Sequence, residues 1–161
     1  MKLNFLFALV LMAAASCNFS KGVKKDLNTG LAVSYNGFAV EDAYLAQNDE
    51  TNKMSDNKLA LGSRVHVVLT GVDNYAETDG KVFPGCTIIL TDQSGKEILN
   101  LPDAFSDASG GLNKAEATTL RATINTGDPM QAGATYHLKC RFYDKKKAES
   151  EIITHVDLVM Q

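Results

Sequence analysis

Apolar residues alternate with small or polar ones along most of this chain, the period-two pattern of half-buried β-strands. The clearest example is segment 64–70, in which Val65, Val67 and Leu69 are predicted to face the core. Further segments with this pattern are 31–36, 86–91, 96–99, 118–124, 135–143 and 151–160. No long amphipathic helical pattern interrupts them, so the sequence predicts an all-β protein.

Turn-forming residues separate the predicted strands. Asp92-Gln93-Ser94-Gly95 predicts a hairpin turn, and the polar segment 47–58 predicts a loop. Segment 102–114 is long for a hairpin and suits a crossover between two sheets. About seven short strands at this spacing predict an antiparallel, immunoglobulin-like β-sandwich, and a jelly roll or another sandwich remains an alternative.

Residues 130–136, Met-Gln-Ala-Gly-Ala-Thr-Tyr, resemble the Leu-x-Pro-Gly-Thr-x-Tyr corner of fibronectin type III domains. Met130, Gly133 and Tyr136 match this motif, whereas Ala132 and Ala134 replace its proline and threonine. The resemblance implies that the Tyr136 hydroxyl bonds the backbone upstream and fixes the corner before strand F. The chain contains no tryptophan, so the core tryptophan usual in immunoglobulin-like folds is missing.

The first 17 residues resemble a bacterial lipoprotein signal. A basic start at Lys2 and an apolar stretch from Phe5 to Met12 precede Ala14-Ala15-Ser16-Cys17, in which small residues stand before a cysteine. The resemblance implies cleavage before Cys17, a diacylglycerol on its thiol that carries fatty acids such as palmitate, and often an acyl group on the freed amine. A cleavable signal with an incidental cysteine is the alternative, and the apolar run is too short for a membrane-spanning helix, which needs about 20 residues.

This signal divides the chain into three predicted parts. Residues 1–16 are the signal peptide, residues 17–29 a lipidated tether and residues 30–161 the β-sandwich domain. Asn18 stands where inner-membrane lipoproteins commonly carry aspartate, so we expect an outer-membrane location in a Gram-negative cell, with the leaflet left open. The membrane, reached through the lipid anchor, is the first predicted partner.

Charge argues against nucleic acid as a partner. Residues 1–16 hold one lysine and no acid, which leaves 15 basic and 19 acidic residues and a formal charge of −4 after cleavage. Phosphate binding needs a concentrated basic surface, which this chain lacks. Two cysteines, Cys86 and Cys140, remain besides Cys17, and both are predicted to face the core. The envelope permits a disulfide, so the sequence leaves open whether the two are bonded or merely packed.

Residues able to hold a metal are scattered, and the sequence predicts neither a metal site nor any cofactor. The three histidines are His66, His137 and His155, each on the predicted outward face of a strand. If Tyr143 pairs with Glu151 in the last hairpin, His137 faces Asp157 in a cross-strand pair. Calcium is conceivable only where Asp73, Glu77 and Asp79 share a loop, although that loop lacks the ordered spacing of a calcium-binding loop.

Aromatic residues in predicted loops offer the main argument for ligand binding. Tyr75, Phe83 and Phe105 either form ligand-contacting loops or cap the ends of the core. No catalytic motif is present, so we expect no enzyme activity. The sequence predicts a lipid-anchored envelope protein that acts as a binding or assembly module, with an envelope protein as its expected partner. The alternative is carbohydrate or calcium-assisted ligand binding in polysaccharide uptake, which requires Tyr75 and Phe105 to be exposed together.

Overall fold

The computed structural model describes residues 20–50 and 52–161. The predicted signal peptide and Cys17 lie outside these residues. The described strands are β1 (Lys21–Lys25), β2 (Ala32–Asn36), β3 (Asp42–Gln47), β4 (Asn52–Lys53), β5 (Lys58–Leu59), β6 (Arg64–Thr70), β7 (Lys81–Val82), β8 (Pro84–Asp92), β9 (Glu97–Leu101), β10 (Leu112–Asn113), β11 (Thr119–Asn125), β12 (Thr135–Asp144) and β13 (Lys147–Met160). Two 3₁₀ turns cover Ser106–Ala108 and Glu116–Thr118. Within the described ranges, none of the helical segments has the length and apolar character needed to span a bilayer.

Two sheets pack face to face. The large sheet has the order β1-β2-β13-β12-β8-β9 and the small sheet the order β11-β6-β3-β4, with antiparallel neighbours throughout. A short parallel pairing of β5 adds to the end of β13, and β7 pairs with β10. β8, β12 and β13 take the places of immunoglobulin strands C, F and G, while β6 and β11 take those of B and E. The predicted antiparallel sandwich is confirmed, although it has more strands than the expected seven.

The core lies between the sheets, and the period-two pattern identifies its members. Val65, Val67 and Leu69 of β6 are buried at its centre, as their alternation predicts. The same rule places Leu138 and Phe142 of β12 in the opposite wall. Segment 102–114 connects β9 of the large sheet to β11 of the small one, so it is the predicted crossover between sheets.

The corner before β12 has the hydrogen bond that the fibronectin resemblance implies. The backbone N–H of Gln131 donates to the Tyr136 hydroxyl at 2.9 Å. The Tyr136 side chain is buried, and its ring belongs to the core. The bond holds the loop that leads from the small sheet against the start of the large-sheet strand.

The segment predicted as a tether contributes a strand to the large sheet. Lys21–Lys25 pair along their whole length with Ala32–Asn36, so the described fold begins at Lys21 and not at Gly30. A tight turn closes this hairpin: Gly30 N–H donates to Asp26 O, and the Thr29 hydroxyl donates to the Asp26 carboxylate at 2.7 Å. The polar composition of Lys21–Lys25 gives no strand signal in the sequence, because an edge strand with one exposed face needs few apolar residues.

Candidate functional site

Tyr75 is not available as a surface ring. It is only 8% exposed, its hydroxyl donates to Ala117 O at 2.9 Å, and its ring meets Phe38 edge-on with the ring centroids 5.0 Å apart. Burial, together with the nearby Asp144 and Asp73 carboxylates, raises the pKa of Tyr75. Of the two roles that the sequence leaves open for Tyr75, the structure therefore favours the core cap over the ligand contact.

Phe105 and Phe83 lie in connecting segments, and both rings contact other side chains of the chain. The Phe105 ring packs on Phe142 with centroids 6.3 Å apart and is partly buried, whereas the Lys146 ammonium lies 4.7 Å from the Phe83 ring centre. Cation–π contacts of this kind stabilise a local surface. The predicted ligand-binding loops require Tyr75 and Phe105 to be exposed together. Tyr75 is buried and Phe105 is partly buried, so these two rings do not form such a surface.

Asp103 anchors this end of the molecule. Its carboxylate accepts hydrogen bonds from the backbone N–H groups of Cys86 (3.1 Å) and Phe105 (2.9 Å) and lies 2.6 Å from the Lys145 ammonium. Burial alone would raise the pKa of Asp103, but the hydrogen bonds from Lys145, Cys86 and Phe105 lower it below its ordinary value. The crossover segment is thereby fastened to both β8 and the β12–β13 turn.

The acidic loop predicted as a calcium candidate already holds a cation from the chain. The Lys114 ammonium lies 3.1 Å from both the Asp73 and the Glu77 carboxylates. A backbone N–H from Asn74 and the Lys114 ammonium lower the pKa of Asp73. Nowhere in residues 20–50 and 52–161 do three or more His, Cys, Asp or Glu side chains form a group able to hold a metal ion.

Cys86 and Cys140 lie on the neighbouring strands β8 and β12, and both face the core. Cys86 is paired in register with Phe142, and Cys140 with Ile88, so the two thiols are diagonal neighbours. Both are free and buried. Burial raises the pKa of both thiols, that of Cys140 to about 12. They are therefore protonated at neutral pH and unreactive as nucleophiles.

The histidines occupy two different sheets. His137 and Asp157 face each other across β12 and β13, as the predicted register requires, with Nδ1 2.6 Å from the carboxylate. His155 lies opposite Lys139, and partial burial followed by the charge of Lys139 lowers its pKa.

His66 points away from the core, as predicted, yet it is only 5% exposed. Its ring nitrogens contact the Thr123 hydroxyl at 2.8 Å and Asn48 O at 3.1 Å. Glu50, which pairs with Arg121 from β11, lies 3.8 Å from the ring. The side chains around β6 thus cover the centre of the small sheet, which explains why an outward residue is buried.

The outward side of the large sheet, here called the outer face, is a candidate binding surface. Side chains directly opposite each other in paired strands share a face, so the register defines its rows. The rows are Lys21, Asn36, Glu151, Tyr143 and Gly85; Val23, Ser34, Ile153, Arg141 and Thr87; and Lys25, Ala32, His155, Lys139 and Ile89. A groove of about 410 Å³ runs along β1, β2 and β13 beside Val23 and Ile153.

Charged and aromatic groups on the outer face are arranged in pairs. Arg141 Nε lies 2.7 Å from the Glu151 carboxylate, and its guanidinium lies 4.8 Å from the Tyr143 ring centre. These contacts order one half of the outer face, while the β1 half carries lysines. Sequence reasoning missed this surface because it assigned residues 17–29 to a lipidated tether. No alternation of apolar and polar residues marks this strand, because lysines stand on both faces of β1.

Comparison with known proteins bears on the fold only. No protein-family model matches the chain, and no curated protein matches it. Among solved structures, the C-terminal domain of wzt matches with a TM-score of 0.50 and 9% identity, covering 88% of this chain and 78% of that domain. The soluble domain of PmoD from Methylocystis sp. ATCC 49242 (Rockwell) matches with a TM-score of 0.39 and 7% identity, covering 86% and 96%. The wzt likeness concerns the sandwich fold alone.

Proposed function

We propose that this protein is a lipid-anchored, non-catalytic binding or assembly module of a bacterial cell envelope. The observation that carries the proposal is the Ala14-Ala15-Ser16-Cys17 sequence after a short apolar stretch. Only three residues separate Cys17 from the first residue of β1. A lipid on Cys17 would therefore hold the sandwich close to the membrane.

The chemistry of the side chains supports a non-catalytic role. General acid–base and nucleophilic catalysis need a base beside a nucleophile. The thiols of Cys86 and Cys140 are buried with raised pKa values, and His137 is engaged with Asp157. His66 is held between Thr123 and Asn48.

The outer face is the surface that we assign to an envelope protein partner. Its side chains are exposed or half-buried, and it combines the apolar Ile89 and Ile153 with charged groups, the mixture found at specific interfaces. The alternative, a glycan or a calcium-assisted ligand, would need a surface other than the Tyr75 loop, because Tyr75 is buried and the Lys114 ammonium already pairs with Asp73 and Glu77.

The anchor is tested by following processing and detergent partition of the full chain. Wild type and the matched control Ser16→Ala should be cleaved and enter the detergent phase of Triton X-114. Cys17→Ala should remain uncleaved, because the lipoprotein peptidase requires the modified cysteine. Normal cleavage and detergent partition of Cys17→Ala would refute the anchor.

The binding role is tested by a pull-down from detergent-solubilised membranes with the lipidated protein, analysed by mass spectrometry. We expect a stoichiometric envelope protein, lost with Ile153→Glu on the outer face and retained with Ala115→Glu on an exposed loop. Absence of any envelope protein would contradict the assembly role, and glycan and calcium binding would then be measured.

A further inference from the structure

The hairpin of β1 and β2, residues 21–36, exposes large aliphatic side chains to an unusual degree. Val23 is 77% exposed and Leu27 is 86% exposed, the highest values among the exposed large hydrophobic residues of the described chain. They are four positions apart, Val23 in the edge strand β1 and Leu27 in the turn that follows it. Clustered exposed apolar side chains commonly mark an interaction site.

Basic residues flank these side chains. Lys21, Lys24 and Lys25 fall within β1, which contains no acid, in a chain that is acidic as a whole. Lys24 donates to the Glu41 backbone oxygen, so Lys21 and Lys25 remain on the outer face on either side of Val23. Asp26, Asp42 and Glu151 lie near these lysines, and each has its own partners. The Asp26 carboxylate accepts hydrogen bonds from the Thr29 hydroxyl and the Asn28 N–H inside the turn, Asp42 pairs with Lys53, and Glu151 pairs with Arg141.

Chain length fixes how far this hairpin can move from an anchored Cys17. The four residue steps from Cys17 to Lys21 span at most about 14 Å when fully extended. Electrostatic attraction to lipid headgroups acts over a Debye length, about 8 Å at physiological salt. Lys21 therefore stays within about two Debye lengths of the bilayer surface, and Lys25 reaches the headgroups when β1 lies along that surface.

We propose that the β1–β2 hairpin docks on an anionic bilayer surface, with Val23 and Leu27 entering the headgroup region and Lys21 and Lys25 contacting lipid phosphates. This inference rests on the proposed lipid anchor, which supplies the proximity. Docking would orient the sandwich, placing the β1 edge on the membrane and leaving the β8–β9 edge of the outer face open to a partner.

A spin label tests the docking directly. The lipidated protein carries a label at Asn28→Cys beside Leu27, or at Ser109→Cys in the crossover loop as a control, and is reconstituted in vesicles of phosphatidylcholine with an equal part of phosphatidylglycerol. Oxygen and a water-soluble nickel chelate then report the depth of each label. We expect the label at 28 to be accessible to oxygen and shielded from nickel, and the label at 109 to be fully aqueous.

Charge variants give the matched comparison. Each lysine near an anionic surface contributes about fivefold to binding, so Lys21→Gln with Lys25→Gln should lower the equilibrium constant between the immersed and the aqueous hairpin about 25-fold. Lys96→Gln with Lys147→Gln, outside the hairpin, should leave it unchanged. The docking would be refuted if the label at 28 were as accessible to the nickel chelate as the label at 109. It would also be refuted if both double variants weakened the immersion of the hairpin equally.

The mass of the N-terminal peptide separates this inference from the anchor. A lipidated protein with an aqueous label at 28 refutes docking and leaves the anchor standing. An unlipidated protein refutes the anchor, and the same labels are then measured with the vesicles added from outside. Immersion of the label at 28 in that case supports docking, and an aqueous label refutes it.

Discussion

Replacing Tyr136 with phenylalanine removes a single hydroxyl from the corner that joins the two sheets. The buried ring stays in the core, and the bond from Gln131 N–H, 2.9 Å long, is lost. A hydrogen bond of this kind contributes about 1 kcal/mol net to the free energy of unfolding. The Gln131 side is exposed, so water replaces part of the lost bond and the penalty stays near this value.

The expected change in melting temperature follows from the size of the domain. With about 140 described residues and an unfolding entropy of about 2.1 cal/mol/K per residue, a loss of 1 kcal/mol lowers the Tm by about 3 °C. Thermal unfolding followed by circular dichroism at fixed protein concentration measures this shift. The denaturant midpoint should fall as well, with an unchanged m-value.

Tyr35→Phe is the matched control. Tyr35 packs partly buried against the core from β2, and its hydroxyl takes part in no hydrogen bond with the described residues. Its loss should leave the Tm unchanged. Equal Tm values for Tyr136→Phe and wild type, or equal losses in both variants, would refute the reasoning that the corner bond stabilises this sandwich.

Three further predictions concern charged and sulfur groups. Asp103→Asn should lower the free energy of unfolding above about pH 4, because the carboxylate has a lowered pKa in the folded state. The difference from wild type should shrink in acid, where the wild-type carboxylate is protonated and releases Lys145. A difference that does not depend on pH would contradict this prediction. His155 has a lowered pKa in the folded state, so wild-type stability should fall as the pH drops below about 6.5, and His155→Gln should fall less in urea titrations at several pH values. Thiol titration of the denatured protein without reductant should find two equivalents, from Cys86 and Cys140, and both should react slowly in the folded protein. A result of no free thiol would indicate a disulfide, and three equivalents would indicate an unmodified Cys17.

The sequence predicts those parts of the fold in which alternation is strong. The pairing of Tyr143 with Glu151 places His137 opposite Asp157, and the structure has both pairs. Long strands carry enough period-two signal to specify which residues face the core. The Tyr136 corner was predictable as well, because its turn geometry depends on a local motif.

Short and polar strands could not be predicted. β4 and β5 are two residues long, too short for a periodic signal, and they fall in the segment predicted as a loop. β1 has one solvated face and lysines on both sides, a composition also typical of a linker. Its pairing with β2 is set by the tertiary structure and the Asp26 turn.

Burial of loop aromatics and outward residues depends on contacts distant in sequence. Tyr75 is buried because Phe38 and the Ala117 carbonyl meet it from other elements. His66 is buried because Asn48 and Thr123 cover it. The alternation along a strand specifies the direction of each side chain but not the residues that cover it. The predicted loop aromatics are therefore buried or partly buried, and the candidate binding surface is the outer face instead of the loops.

Lipid anchoring is decided by mass spectrometry of the N-terminal peptide of the protein purified from membranes. We expect a chain that begins at Cys17 and carries the mass of a diacylglycerol group on that residue, with or without an acylated amine. An unmodified Cys17, or a mature chain that begins at another residue, would contradict it.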